Sequence, residues 1–273
     1  MQVSQLFIYP IKSLKGIAVT AARVTERGFE HDRRWMLVDE NNRFLSQREA
    51  PKMALLKVEL QDDGLLISSG LSGGSVLAPY KPVINEPCKV TVWDDTCNAQ
   101  YVSIEADEWF TRILGRKCRL VYMPDNSMRP VDEKYAPAGY ITSFADGYPY
   151  LLIGQATLDD LNSRLTEALP MNRFRPSIVF TGAKPFEEDV INNFSIGGID
   201  FYGVKLCARC IITTIDQTNA LKAKEPLKTL ATYRRRNNDV YFGQNLIHKG
   251  EGIVAVGDII EVKNYHHEEK FMI

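Results

Sequence analysis

The chain has 273 residues, of which 45% are hydrophobic and 25% charged, and its formal net charge is −1. This is the composition of a globular protein with one large or two ordinary domains. The small net charge excludes bulk attraction to nucleic acid or to an anionic membrane surface. No apolar run has the length of a membrane span, and the first ten residues lack the regions of a signal peptide. We therefore expect a cytoplasmic protein that binds neither nucleic acid nor membrane.

The cysteines support the same compartment. They are few and odd in number, which argues against a disulfide framework and for a reducing environment. The five are Cys88, Cys97, Cys118, Cys207 and Cys210.

The first part of the chain predicts strands. Runs rich in β-branched and aromatic residues alternate with turn residues, as in β-hairpins. The predicted strands are 3–9 and 19–25, and the predicted hairpins are 35–46, 57–69 and 89–103. Residues 106–114 predict a short helix, because acidic residues open it and Gly115 follows as the C-cap.

The second part predicts a longer helix among further strands. Leucines on one face mark residues 157–169 as helical, Thr157 and Asp160 resemble a capping box, and Pro170 ends the helix. A short helix is predicted at 226–233. The predicted strands are 119–123, 178–180, 194–196, 201–206, 211–215 and 258–262.

The fold class that follows is mostly β with peripheral helices (α+β). The polar, proline-rich connection 124–141 is the candidate boundary between two units. We predict an N-terminal β domain over residues 1–120, a second domain over 121–265 and a peripheral tail over 266–273.

Cys207 and Cys210 lie between two predicted strands, with Arg209 between them. Thiolates are soft metal ligands, and a nearby cation favours the thiolate over the thiol. In an extended chain, residues three apart face opposite sides, which favours one ligand over a chelating pair. A single thiolate ligand and a pair of inert buried cysteines both remain open.

Two other interpretations have less support. A structural zinc site needs two further ligands, and none of the four histidines is spaced to supply them. A thioredoxin-type pair opens a helix, whereas here a strand is predicted to follow.

Polar residues in loops form a second group of candidates. Arginine makes bidentate, charge-assisted bonds to phosphate, so these residues suit a phosphorylated cofactor, although any one of them alone is more simply surface charge. The group consists of Lys12, Ser13, Arg33, Arg175 and Arg209. Residues 143–150 add a turn rich in backbone donors. No P-loop and no G-x-G-x-x-G after a strand is present.

Together these pieces resemble one family, the MOSC proteins that carry an N-terminal MOSC β-barrel domain. Within it the sequence is most similar to the bacterial YcbX-type proteins and the mitochondrial amidoxime reducing component. The similar segments are 9–16, 32–35, 144–149, 160–165, 174–176, 207–216, 225–230, 242–245 and 256–258.

The resemblance implies a molybdenum cofactor, held by the dithiolene of molybdopterin and by one cysteine thiolate, which is Cys210 here. That residue is then both the metal ligand and the catalytic residue. The cofactor contacts that carry over are Lys12, Ser13, Arg33, Asp146, Gly147, Tyr148, Arg175, Ser177, Arg209 and Cys210. Gly147 and Tyr148 replace the small hydroxyl residues of many relatives, and Ser177 stands where relatives often have Asn.

The activity that the resemblance implies is two-electron reduction of N-hydroxylated compounds (N-hydroxy bases, amidoximes and hydroxylamines) to amines, and so detoxification of N-hydroxylated bases. Some YcbX-type proteins carry a C-terminal [2Fe–2S] domain with C-x4-C-x2-C ligands, and this sequence has no such run. We therefore expect no iron–sulfur cluster in this chain and a separate electron donor, a reductase or a ferredoxin-like carrier. The alternatives are a non-catalytic carrier of the cofactor or its sulfur, and a metal-free interaction protein.

Overall fold

The computed structural model describes residues 1–70 and 73–266. Apart from His266, the predicted tail lies outside this range. No helix in the described part is long and apolar enough to cross a membrane.

Strands dominate the described residues, which confirms the predicted fold class. In chain order they are β1 (Gln2–Ile8), β2 (Ile17–Val19), β3 (Ala21–Thr25), β4 (Gly28–Phe29), β5 (Trp35–Val38), β6 (Leu56–Leu60), β7 (Gly64–Ser69), β8 (Ser75–Pro79), β9 (Pro87–Val92), β10 (Asp95–Tyr101), β11 (Arg119–Tyr122), β12 (Tyr150–Gly154), β13 (Ile178–Thr181), β14 (Ile191–Ile196), β15 (Ile199–Ala208), β16 (Arg235–Arg236), β17 (Asp239–Lys249), β18 (Gly252–Ala255) and β19 (Ile260–Tyr265). The α-helices are α1 (Ile104–Leu114), α2 (Gln155–Ser163) and α3 (Leu227–Leu230), and 3-10 turns span Pro51–Leu55, Met171–Arg173, Glu187–Asp189 and Ile211–Thr214.

The largest sheet has nine strands, in the order β19-β14-β15-β17-β12-β13-β1-β2, with β16 paired to β17. Its pairs are antiparallel except β12 and β13, which are parallel. The smaller sheets have the orders β5-β11-β10-β9, β18-β3-β4 and β6-β7-β8. Strand β1 is therefore hydrogen-bonded to β13, far away in sequence.

A glycine pair makes the hairpin between β14 and β15. Ile196 and Ile199 are opposite each other, which leaves Gly197 and Gly198 as a two-residue turn with φ of +57° and +81°. Such turns need positive φ at both positions, which glycine adopts without steric cost. The turn fixes the register of β15, and β15 leads directly to the cysteine pair.

One core combines the two ends of the chain. Val3, Leu6 and Phe29 pack with Tyr150 and Phe194 in one buried cluster. A second cluster contains Trp35, Trp109 and Phe110 and lies under β5–β8 and α1. The division at residue 120 stays a prediction, and the hydrogen bonds of β1 cross it.

The hairpin at 57–69 and the helix before Gly115 are confirmed. Strands β6 and β7 pair from Leu56 with Ser69 to Leu60 with Leu65. Helix α1 begins two residues earlier than predicted, because the Ser103 hydroxyl caps it by accepting from the Ala106 N–H at 3.1 Å. Gly115 is the left-handed C-cap, as predicted.

The predicted strand at 211–215 is wrong, because Ile211–Thr214 is a 3-10 turn. The Thr213 hydroxyl donates to the carbonyl of Cys210 at 3.0 Å, and the Thr214 hydroxyl donates to that of Ile211 at 2.8 Å. Threonine side chains that bond nearby carbonyls compete with a β-ladder, so the β-branched residues do not form a strand here. The chain thus turns immediately after Cys210.

The long helix at 157–169 is also wrong in its bounds. Helix α2 ends at Ser163, where the Asn162 amide bonds both the N–H and the carbonyl of Leu169. Thr157 lies inside the helix and donates to Glu188 at 2.8 Å, so it forms no capping box. The strand predicted at 19–25 is split between β2 and β3, and the helix predicted at 226–233 shortens to α3.

Candidate cofactor site

A cleft of about 270 Å³ opens where both parts of the chain meet. Its walls come from the loop after β1, the segment that follows β4, the loop after β5, the turn at 145–148, the segment before β13 and the end of β15. Residues from position 12 to position 245 line it. The sheet positions these loops, because β1, β13, β12, β17 and β15 are successive neighbours.

Nine of the ten predicted cofactor contacts line this one cleft. They are Lys12, Ser13, Arg33, Asp146, Gly147, Tyr148, Arg175, Arg209 and Cys210. Ser177 is the exception: it is fully buried, and its hydroxyl accepts the N–H of Leu151 at 3.4 Å. This bond connects β12 to the residue that precedes β13. The roles of all ten residues toward a cofactor stay predictions.

Lys12 and Asp146 form the ion pair on one wall. The Lys12 ammonium lies 2.6 Å from the Asp146 carboxylate and 2.8 Å from the carbonyl of Phe144. Lys12 is buried, whereas the Asp146 side chain is 70% exposed toward the opening. Burial lowers the pKa of the Lys12 ammonium to about 8, against the raising effect of Asp146. Partial loss of water around the Asp146 carboxyl favours its neutral form, but Lys12, Arg33 and Arg48 outweigh this effect and hold that pKa below its usual range.

Tyr9 lies against two of the predicted arginines. The guanidinium carbons of Arg33 and Arg175 lie 4.4 and 4.3 Å from its ring centroid. The buried Tyr9 hydroxyl donates to the carbonyl of Pro176 at 3.0 Å, and burial raises its pKa to about 12. A Cβ on Gly16 would lie 2.4 Å from the Tyr9 ring, so the glycine leaves room for it. Tyr9 is thus a positioning residue for both guanidinium groups.

Three of the nine non-glycine residues with positive φ in the described part of the chain line the cleft. Ser13, Arg33 and Arg175 have φ of +70°, +49° and +55°. Residues are held in the left-handed region only where the surrounding structure demands it, and such residues cluster at functional sites. Three predicted contacts therefore share a feature that the sequence does not reveal.

Each of the two cysteine sulfurs has its own arginine. Arg209 Nη1 lies 2.9 Å from the Cys207 sulfur, and Arg48 Nη2 lies 3.1 Å from the Cys210 sulfur. Both cysteines line the cleft, and the register of β15 against β17 shifts between Leu206 and Ala208, next to Cys207. Alternation along an extended chain therefore does not select between the two cysteines, and the choice of ligand stays a prediction.

The charge of the lining suits an anionic group. Six cationic side chains and the single carboxylate of Asp146 line the cleft. The cations are Lys12, Arg33, Arg48, Arg175, Lys205 and Arg209. In addition, the buried Nε of Arg209 has no hydrogen-bond partner among the described residues. Clustered guanidinium donors bind phosphate, and thiols bind soft metals, so these residues fit a phosphorylated, thiolate-ligated metal cofactor.

Sequence reasoning missed Tyr9 and Arg48. Tyr9 is the first residue of the segment whose Lys12 and Ser13 were predicted, but its burial between two arginines cannot be read from spacing. Arg48 lies on a loop 162 residues from Cys210, and the printed sequence gives no signal for that contact.

Comparisons with known proteins cover nearly the whole chain. Residues 1–117 match the MOSC N-terminal beta barrel domain, and residues 140–261 match the MOSC domain. These two regions contain every residue that lines the cleft. Mitochondrial amidoxime-reducing component 1 of Mus musculus is 32% identical in an alignment that covers 94% of this chain and 80% of that protein.

Two further relatives match this chain at a similar level of identity. The human component 1 is 31% identical and covers 94% of this chain and 81% of its own length. The component 2 of Bos taurus is 33% identical over 241 residues, which cover 85% of this chain and 72% of that protein.

Proposed function

Because this chain belongs to the MOSC-domain family that includes the mitochondrial amidoxime-reducing components, we propose that it is a molybdenum-cofactor-dependent reductase of N-hydroxylated compounds. The observation that carries the proposal is the cationic cleft, whose lining combines two thiols with Arg33 and Arg175 in left-handed backbone conformations. This arrangement suits a ligand with a phosphate and a soft metal.

The reaction is balanced by two electrons and two protons: R–NH–OH + 2e⁻ + 2H⁺ gives R–NH₂ + H₂O. The N–O bond breaks, nitrogen is reduced, and the oxygen leaves as water. When bound, the cofactor supplies a metal that can exchange two electrons between Mo(IV) and Mo(VI). The residues of the cleft would hold and orient the group and would leave access for the substrate.

Different residues of the cleft would perform these tasks. Lys12, Ser13, Arg33 and Arg175 would bind the phosphate, because all four line the cleft and both guanidinium groups lie against Tyr9. The turn at 146–148 would add backbone donors. Arg209 would neutralise charge beside the thiols, and Cys210 would be the thiolate ligand and the catalytic residue.

We also place the electron source in a separate protein, a reductase or ferredoxin-like carrier, and the reaction in the cytoplasm. We propose that the substrate is a small molecule and that this chain holds no iron–sulfur cluster. The residues at the opening of the cleft would select which N-hydroxylated compound is reduced.

The first test is the composition of the purified protein. We expect about one molybdenum per chain and release of a pterin on denaturation. One zinc per chain without pterin would contradict both the reductase and a cofactor carrier. A carrier binds the same cofactor without turnover, so activity separates the two.

The second test uses cysteine variants and a chemical electron donor, reduced methyl viologen. Cys210→Ser should lose N-hydroxyadenine reduction by at least about 100-fold, whereas Cys207→Ser keeps part of it. Cys88→Ser, outside the cleft, is the control and should act as wild type. Wild-type rates in both Cys210→Ser and Cys207→Ser would refute the assignment of the ligand.

A further inference from the structure

Trp93 occupies a backbone position that does not suit it. Strands β9 and β10 pair Val92 with Asp95, so Trp93 and Asp94 form a two-residue hairpin turn. Trp93 has φ of +57°. Turns of this kind favour asparagine or glycine, and a bulky aromatic residue in the left-handed region is an outlier that points to function.

The Trp93 side chain contacts three residues of the cleft lining, although it is not itself part of that lining. Its indole N–H donates to the Asp146 carboxylate at 3.4 Å. The Arg48 guanidinium carbon lies 4.4 Å from the ring centroid, and the Phe44 ring lies at 4.9 Å with a tilt of 55°. All three of these neighbours line the cleft.

Core packing does not explain the position of this indole. The other two tryptophans, Trp35 and Trp109, are 1% and 5% exposed, whereas Trp93 is 37% exposed. Arg48 connects it to the chemistry, because the same guanidinium lies 3.1 Å from the Cys210 sulfur. The rings of Phe44 and Trp93, with the Arg48 guanidinium against the indole, therefore form one surface near the proposed metal ligand. We call these three residues the aromatic wall.

We propose that this aromatic wall binds the substrate and that Trp93 is a specificity-determining residue for planar, conjugated N-hydroxylated substrates. Indole and guanidinium planes stack on flat π-systems and gain little from a small aliphatic group. The inference rests on the proposed function and names the part of the cleft that selects among its substrates.

The most informative variant is Trp93→Asn. Asparagine tolerates positive φ better than tryptophan, so the hairpin keeps its geometry while the indole is lost. We expect an unchanged or higher Tm and an unchanged molybdenum content. The ratio of kcat/KM for N-hydroxyadenine to that for N-methylhydroxylamine should fall about tenfold, the factor that about 1.4 kcal/mol of lost stacking produces.

Two further variants sharpen the comparison. Trp93→Phe keeps a ring in the same place, and its ratio should lie between those of wild type and Trp93→Asn. Val83→Asn replaces an exposed apolar residue that is outside the cleft lining, and its ratio should equal that of wild type.

A binding measurement tests the wall without turnover. Adenine, the product analogue, should quench the tryptophan fluorescence of the wild-type holoenzyme and leave that of Trp93→Asn unquenched. An unchanged substrate ratio in Trp93→Asn, or equal quenching in both proteins, would overturn the proposal. If adenine quenches only the wild-type protein, and that protein reduces no N-hydroxylated compound, the proposed role of the aromatic wall would stand and the proposed reductase function would be rejected.

Discussion

At the residue scale, Lys12 couples the cleft to pH. Its ammonium has an ordinary pKa near 10.5, which burial lowers to about 8 in the folded chain. Between these two values the unfolded chain binds the proton and the folded chain does not. The contribution of this group to the free energy of unfolding therefore rises with pH in that window, while its attraction for an anion falls.

We expect the affinity of cofactor-free protein for inorganic pyrophosphate to drop about tenfold from pH 7 to pH 10, as one charge-assisted hydrogen bond is lost. Isothermal titration calorimetry measures this directly. Lys12→Arg keeps its charge across the range and should show a flatter profile. An equally steep profile in Lys12→Arg would show that another group is responsible.

The candidate cofactor contacts could be predicted from the sequence where they lie in a short motif. Lys12, Arg33 and Arg175 lie in such segments, and the fold brings them together. Arg48 and Trp93 were not predicted, because their roles come from contacts between loops that are distant in sequence. Arg48 alone is equally consistent with surface charge, and Trp93 alone is equally consistent with a strand residue of the predicted hairpin.

At the element scale, one buried carboxylate links α2 to the turn before β14. Glu188 accepts the Gly154 N–H at 3.1 Å and the Thr157 hydroxyl at 2.8 Å, and it is fully buried. Burial, with some help from Asp189, raises the pKa of Glu188 from 4.5 to about 7. Between those values the folded chain holds a proton that the unfolded chain has lost, so stability falls as pH rises through this window.

Glu188→Gln removes this titration and keeps an acceptor for Gly154. We expect its free energy of unfolding, measured in urea, to equal wild type near pH 5 and to exceed it by about 1–3 kcal/mol at pH 8. Glu187→Gln, the half-buried neighbour, is the control and should retain the wild-type slope. A Glu188→Gln protein as pH-sensitive as wild type would contradict the assignment.

Helices and strands could be predicted where both the hydrophobic pattern and the residues that end the element are local in sequence. Helix α1 has Gly115 as its stop, and β6 and β7 are joined by a short turn. The errors at 211–215 and 157–169 share one cause: polar side chains of Thr213, Thr214 and Asn162 bond nearby backbone and end the regular structure. Propensity describes the backbone alone and does not record these competing bonds.

At the scale of the whole molecule, the two predicted domains depend on each other. The mostly β class was predictable from composition and periodicity. The pairing of β1 with β13 was not, because local patterns do not record which distant strands become neighbours. Val3 lies opposite Phe180, and their shared core includes strands from both ends of the chain.

Residues 121–266 alone should therefore not fold. They lack Val3, Leu6, Ile8, Val24 and Phe29, which are buried in the shared core. Each such side chain is worth roughly 1.5–3 kcal/mol, and their sum is comparable with the whole stability of about 5–15 kcal/mol. Calorimetry should show no cooperative transition for this fragment and should show one when fragment 1–120 is co-expressed. Cooperative unfolding of the isolated fragment would instead support an independent domain.

The span of the cleft lining, from Lys12 to Asn245, also sets the order of events in the cell. A ribosome makes Lys12 and Arg33 long before it makes the strand that carries Asn245, and β17 lies at the centre of the sheet that positions the lining. A growing chain thus has no finished site to offer. Under the proposed function, the cofactor can therefore be bound only after β17 has joined the sheet.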